Sequence, residues 1–169
     1  MKASKNKLGK GSSGNKSAGF SLIELLVVVA VILIIAAIAI PNYVRSKMRA
    51  NETAAVANLR NISTANVVYT TTYGIGFAPT LPALGGNSTT PDSTQAGLID
   101  SVLSAGIKSG YSYTYIPGVA DANGNYNSYT VNADPVVPGT TGDRHFYTDQ
   151  TAVIRQNDTA TAGPSDPPL

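Results

Sequence analysis

Residues 20–40 read FSLIELLVVVAVILIIAAIAI, and this stretch decides the fold. From Leu25 to Ile40 all sixteen residues are Leu, Ile, Val or Ala. Because an α-helix rises about 1.5 Å per residue, a helix over 20–40 spans roughly 30 Å, the thickness of one bilayer hydrocarbon core. We therefore predict a transmembrane helix over residues 20–40.

Glu24 is the only charged residue in this stretch. A carboxylate opposes membrane insertion by about 2.5–3.5 kcal/mol at a helix centre, and by less near a helix end. A plain membrane anchor, or a secretory signal peptide cut after the AIA at 37–39, accounts for the apolar run but not for this carboxylate. Glu24 is therefore a functional candidate that needs a partner.

Charge is segregated along the 169 residues. Residues 1–19 hold five lysines and no acidic residue, whereas the rest holds seven Lys and Arg against ten Asp and Glu. A basic leader at 1–19 favours a cytoplasmic N-terminus and export of everything after Ile40. Arg45, Lys47 and Arg49 follow the apolar run at the depth of lipid headgroups, where simple snorkelling anchors are the favoured interpretation.

The composition excludes several classes of function. The chain has no cysteine, which excludes disulfides and thiolate zinc sites. No phosphate loop, metal cluster or acid–base pair stands out, so the sequence predicts no enzyme and no cofactor. After Arg60 the only cations are Lys108, Arg144 and Arg155, which is too few to predict a specific nucleic-acid partner.

The helical pattern continues beyond Pro41, a residue that is expected to distort the helix by a kink or by local melting near 37–41, because it lacks an amide proton. Apolar residues then recur every seven positions, at Met48, Ala55, Ile62 and Tyr69. This pattern predicts an amphipathic helix over 41–73 whose apolar face packs on a folded domain, with glycines just after Tyr73 ending it.

The remaining chain reads as a small sheet domain. Residues 74–110 are expected to form a connecting loop with a short helix near 96–106, where Leu98 and Val102, with Leu103 as a further candidate, point inward. Residues 111–169 are expected to form an antiparallel sheet and a C-terminal tail that is extended or loosely ordered. The alternating segments 111–116, 126–133, 144–148 and 152–155 predict three or four strands. The fold class is therefore α+β, with one long N-terminal helix on a small antiparallel sheet.

Two further parts of the sequence contain candidate site residues. Asp121, Asn123 and Asn125 place oxygen side chains at alternate positions, as in a fragment of a calcium loop, but the glycine is misplaced for an EF-hand. Asn123-Gly124 is a strong hairpin signal, so a turn is favoured and no metal site is predicted. His145, the single histidine, has no catalytic partner nearby in sequence and is expected to be a packed or surface residue.

The stretch GFSLIELLVVV, Gly19 to Val29, closely resembles the signature of type IV pilins and of the pseudopilins of type II secretion. Pro41 and the NYVRSKMRA that follows it also resemble this family. The resemblance implies a pilin-like fold. It further implies cleavage between Gly19 and Phe20 by a membrane aspartyl protease, the prepilin peptidase, which then N-methylates Phe20.

The resemblance also implies a role for Glu24, which would neutralise the Phe20 amine of a neighbouring subunit when subunits stack. Pairing of Glu24 with the Phe20 amine of its own chain, four residues away, is the alternative. The implied partners are further copies of the chain, the prepilin peptidase and methyltransferase, the assembly machinery of the inner membrane, and membrane lipid before assembly.

The function implied is that of a structural filament subunit in a pilus for adhesion, motility or DNA uptake. Its precursor would lie in the bacterial inner membrane, with the leader cytoplasmic and the C-terminal domain periplasmic, before entering an extracellular or periplasmic filament. A major pseudopilin is the alternative, favoured by the absence of cysteine. The long loop at 74–95 and the missing acidic calcium loop favour a pilin. A membrane-anchored binding module or adhesin is the remaining possibility.

Overall fold

A computed structural model describes residues 19–86 and 89–169. The predicted long helix is confirmed as α1, Leu22–Tyr73. It ends where Gly74 adopts a left-handed conformation (φ +67°) and donates its amide to the carbonyl of Thr70. Of the predicted basic leader, residues 1–19, all but Gly19 lie outside the described residues.

Helix α1 continues through Pro41 without interruption, so the local melting expected near residues 37–41 is wrong. Pro41 removes only one amide donor, and helical hydrogen bonds on either side hold the backbone in place. A kink at Pro41 stays a prediction. The chain divides at this residue into two compact units, Met1–Ile40 and Pro41–Leu169.

In the first unit, the helix is apolar on every side. Its side chains from Leu22 to Ile40 are exposed or half-buried, and the mean hydropathy of its most apolar 18-residue window is 3.3. The helix is therefore long and apolar enough to cross a membrane, by length and composition.

In the second unit, α1 buries one face. The heptad positions Met48, Ala55, Ile62 and Tyr69 are all buried, which confirms the predicted amphipathic stripe. Leu59 lies beside them and is fully buried. Apart from Met48, these side chains share one hydrophobic core with a five-stranded antiparallel sheet.

The sheet has one more strand than expected, in the spatial order β1-β2-β3-β4-β5. Its strands are β1 Ile107–Lys108, β2 Tyr111–Pro117, β3 Tyr129–Pro135, β4 His145–Asp149 and β5 Arg155–Asn157. Strand β1 has only two residues, too few to show an alternating pattern, and it pairs with β2 through Ile107 and Ser112. On β2, Tyr111 and Tyr113 are buried and Tyr115 packs against the core, so the predicted tyrosine face is confirmed.

The segment between α1 and the sheet adds two helical turns, α2 Leu81–Leu84 and α3 Ser101–Ser104. The side chains of Leu84 and Leu103 are fully buried in the same core. The expectation that Val102 points inward is wrong, because its side chain is exposed. The Asp100 carboxylate caps α3, and in this single turn Leu103 is the residue that faces the core.

The C-terminal tail is held in place by hydrogen bonds, which contradicts the expectation of a loosely ordered segment. The Leu169 amide donates to the carbonyl of Ile154, and the Gln156 amide donates to the carbonyl of Pro167. Asn132 on β3 donates its side-chain amide to the carbonyl of Ala162 at 2.6 Å. The tail therefore covers the β5 edge of the sheet, which would otherwise leave backbone groups unpaired.

Candidate functional site

The predicted processing site precedes the first turn of α1. Gly19 and Phe20 are exposed and lie outside the helix. A Cβ placed on Gly19 would meet no heavy atom within 4 Å, and 83% of the surface of Phe20 is accessible. The peptide bond between these two residues is therefore open to approach by another protein.

Glu24, besides carrying a charge, also caps the start of α1. Its Oε2 accepts a hydrogen bond from the Ser21 backbone amide at 2.9 Å, and the Ser21 carbonyl accepts the first helical bond, from Leu25. This is the Glu half of a capping box, which satisfies an amide that the helix start leaves unpaired. Sequence reasoning missed this role, although the Ser-x-x-Glu signal stands at residues 21–24.

The surroundings of Glu24 are apolar. Phe20, Ile23, Val27 and Val28 line a shallow hollow of about 400 Å³ with it. Among residues 19–86 and 89–169, no cationic side chain lies within ion-pair distance of the Glu24 carboxylate. Its charge is therefore matched only by the Ser21 amide and the partial positive charge of the helix start.

The segment at Asp121 forms a turn within the β2–β3 connection. One carboxylate oxygen of Asp121 accepts the backbone amides of Asn123 and Asn125, at 2.8 and 2.9 Å. These bonds, that from Asn125 foremost, lower the pKa of Asp121. Gly124 has a φ of +83°, as the turn requires. The hairpin interpretation is confirmed. The weak calcium candidate at Asp121, Asn123 and Asn125 does not belong to any group of three or more His, Cys, Asp or Glu side chains among the described residues.

His145 has a carboxylate partner that its sequence neighbours did not reveal. Its Nδ1 lies 2.6 Å from Oδ1 of Asp134, because β3 and β4 are adjacent antiparallel strands. The histidine side chain is only 15% exposed, so the expectation of a packed residue is confirmed. The pair links two strands.

An ion pair that was also missed from the sequence joins α1 to the sheet. Glu52 is buried, and its Oε2 accepts a hydrogen bond from Nε of Arg144 at 2.9 Å, while Nη2 of the same guanidinium lies 2.9 Å from that oxygen. The backbone amides of Asp143 and Arg144 donate to the same carboxylate, at 3.1 and 3.4 Å. Nη1 of Arg144 donates to Gln156. This network joins α1 to the segment next to β4 and to β5 within the second unit.

Comparison with known proteins bears on the N-terminal region. Residues 14–40 match the family described as "Prokaryotic N-terminal methylation motif". The chain is 48% identical over 50 residues to the type IV major pilin protein PilA of Myxococcus xanthus, an alignment that covers 30% of this chain and 23% of that protein. It is 51% identical over 43 residues to the type IV wide pilus major component PilA4 of Thermus thermophilus, over 25% of this chain and 33% of that protein.

These similarities lie in the N-terminal region, and there the chain is similar to type IV pilins. The chain spans about a quarter to a third of the length of the two pilins it matches. No solved structure matches it.

Proposed function

We propose that the protein is a structural subunit of a type IV pilus, inserted in the inner membrane and then polymerised through its N-terminal helix. The observation that carries the proposal is the exposed apolar helix from Leu22 to Ile40, which lies within the matched methylation motif at residues 14–40. A helix that is apolar all round is stable only when lipid or other helices cover it. Bilayer before assembly and neighbouring subunits afterwards would supply that cover.

Processing would occur between Gly19 and Phe20, followed by N-methylation of the new amine of Phe20. The exposure of both residues supports this proposal, because a peptidase must reach their peptide bond. Cleavage would create a cation at Phe20, four residues before the Glu24 carboxylate. The prepilin peptidase and methyltransferase and the pilus assembly machinery are the proposed partners, with a cytoplasmic leader and an exported sheet domain.

Glu24 would then pair with the Phe20 amine of a neighbouring subunit. In an apolar fibre interior, removing one partner of such a pair costs about 3–5 kcal/mol, enough to favour one axial register of subunits. Two features of the structure support this role: Glu24 has no cationic partner among the described residues, and the surrounding hollow is apolar.

Two substitutions separate this role from helix capping. Glu24→Ala removes both the charge and the capping acceptor, whereas Glu24→Gln removes the charge but keeps an acceptor that also suits a capping box. If pairing sets assembly, both variants are expected to yield no sheared filaments while the chain is still processed to Phe20. Normal filaments from Glu24→Gln would contradict the pairing and leave capping as the function of Glu24.

Intact-mass analysis of the same fractions tests the processing. A chain that starts at Phe20 and carries one added methyl group is expected. A chain that retains residues 1–19, or that starts at Ile40, would contradict the proposed cleavage.

A major pseudopilin of a type II secretion system is the second candidate. The absence of cysteine favours it, since many pilins staple their C-terminal region with a disulfide. Here the C-terminal tail is held by hydrogen bonds to β5 and β3 instead. Deletion of the gene separates the two: loss of surface filaments indicates a pilin, and loss of protein secretion with filaments intact indicates a pseudopilin.

A further inference from the structure

A mixed-charge cleft lies between the membrane-proximal part of the amphipathic helix and the sheet, within the second unit. Its volume is about 410 Å³, within the range of small-ligand sites. The buried Glu52–Arg144 pair lines it, and the hydrogen bonds of that pair are already made within the chain. The groups left to meet a ligand are two cations and two carboxylates.

The two cations are Arg45 and Arg49, which stand one turn apart on the same face of α1. The two carboxylates are Asp143, just before β4, and Asp158, just after β5. All four side chains belong to exposed residues, and no ion pair within 4.0 Å engages any of them in the described ranges 19–86 and 89–169. The cleft thus offers unpaired charge of both signs.

The position of the cleft along α1 indicates which ligand it would meet. Arg45 and Arg49 follow Ile40, the last residue of the apolar run, by five and nine residues, which is about 7.5 Å and about 13.5 Å of helix rise. The polar headgroup layer on each side of the hydrocarbon is roughly 5–8 Å deep, so the backbone of Arg45 lies within it and that of Arg49 beyond it. Side chains on a helix lean toward its N-terminus, which here is the membrane side, and the long side chain of Arg49 can extend back toward the layer.

From this arrangement, we propose that the cleft binds the zwitterionic headgroup of a phosphoethanolamine lipid while the subunit waits in the membrane. Arg45 and Arg49 would hold the phosphate, for which a guanidinium fork is well suited. Asp143 and Asp158 would accept the three N–H donors of the ammonium group. The inference rests on the proposed membrane-inserted precursor, and it gives these arginines a defined ligand beyond general attraction to the headgroup layer.

The chemistry predicts selectivity among lipids. A phosphocholine headgroup carries a quaternary ammonium without N–H donors, so it cannot bond to the two carboxylates. A phosphoglycerol headgroup is anionic and carries no cation, so it leaves Asp143 and Asp158 unpaired next to its phosphate. Phosphatidylethanolamine is therefore expected to be retained in preference to both.

The test is native mass spectrometry of the full-length chain, solubilised in mild detergent with equimolar phosphatidylethanolamine, phosphatidylcholine and phosphatidylglycerol. One phosphatidylethanolamine per chain is expected. Retention should fall about tenfold in the Arg45→Gln/Arg49→Gln double variant and in Asp143→Asn/Asp158→Asn, as when charge-assisted bonds are lost. Lys47→Gln is the matched control, because Lys47 carries the same charge at nearly the same depth but does not line the cleft.

Several results would overturn the assignment. These are equal retention of the three lipids, preference for phosphatidylglycerol, or an equal loss in Lys47→Gln, since each indicates general electrostatic attraction. Equally tight, competing binding of soluble glycerophosphoethanolamine would assign the cleft to a soluble ligand. Unchanged lipid retention with fewer filaments in the Arg45/Arg49 variant would make the cleft a contact between subunits. Filament formation by the wild-type chain, measured in parallel, separates failure of this inference from failure of the proposed function.

Discussion

Replacing Glu52 by Gln is expected to destabilise the second unit strongly. The side chain of Glu52 is 8% exposed, and its carboxylate accepts a hydrogen bond from Nε of Arg144 and forms an ion pair with Nη2. Removing one member of a buried ion pair typically costs about 3–5 kcal/mol, because the other charge is left without compensation. Here the Arg144 side chain is 37% exposed and water can partly solvate it, so we expect a loss of about 2–3 kcal/mol in the free energy of unfolding.

Thermal unfolding of the full-length chain in mild detergent measures this loss. All nine tyrosines lie at or beyond Tyr43, so near-ultraviolet circular dichroism reports on the second unit. For a unit of this size, 2–3 kcal/mol corresponds to a fall in Tm of roughly 8–12 °C. Asp158→Asn, which removes an exposed carboxylate without an ion pair, is the control and should leave Tm unchanged.

A double-mutant cycle separates the pair from its surroundings. The Glu52→Gln/Arg144→Met double variant should lose much less free energy of unfolding than the sum of the losses of the two single variants, because both substitutions remove the same interaction. A decrease in Tm of less than about 2 °C for Glu52→Gln, or additive losses in the cycle, would contradict the conclusion that this pair holds α1 to the sheet.

Two other predictions concern packing and pH. Gly142→Ala should lower the free energy of unfolding by about 1–3 kcal/mol, because the new Cβ would overlap the buried Tyr111 hydroxyl and lie 2.8 Å from its Cζ. Gly163→Ala places its Cβ in open space and should be neutral. Equal Tm values for the two variants would contradict this reasoning. The hydrogen bond from Lys108 lowers the pKa of Asp100 below its ordinary 3.8, so Asp100 stabilises the fold above that pH and the stabilisation is lost as pH falls through the lowered pKa. Asp100→Asn keeps an acceptor for the helix cap and should therefore be less stable than the wild type by about 0.5 kcal/mol at pH 7. Urea unfolding is expected to show that this difference in stability closes below pH 3.8. A difference that persists at low pH would point to the cap instead.

Local pattern was sufficient for much of the fold. The run of sixteen apolar residues and the seven-residue recurrence beyond Pro41 predicted α1 to within two residues at each end. Alternation predicted the central strands β2, β3 and β4 with small shifts in their ends. These signals work because a helix and a half-buried strand impose fixed periods on which side chains meet the core.

Short elements escaped the pattern for the same reason. Strand β1 has two residues and α2 has four, so neither completes a period that composition could reveal. The end of the chain looked polar and loose, yet Ala162 is buried and Leu169 bonds to Ile154. Its order comes from an open sheet edge elsewhere in the fold, which its own composition does not show.

From the sequence alone one can derive the apolar helix, the isolated Glu24 and the motif that begins at Gly19, because each depends on residues close to one another in the chain. Only the tertiary structure decided which distant side chains meet. Glu52 and Arg144 are 92 residues apart, and the partner of His145 is set by the pairing of two strands. A sequence does not show which charged residues will pair, since the distance between two charges depends on how the intervening chain packs.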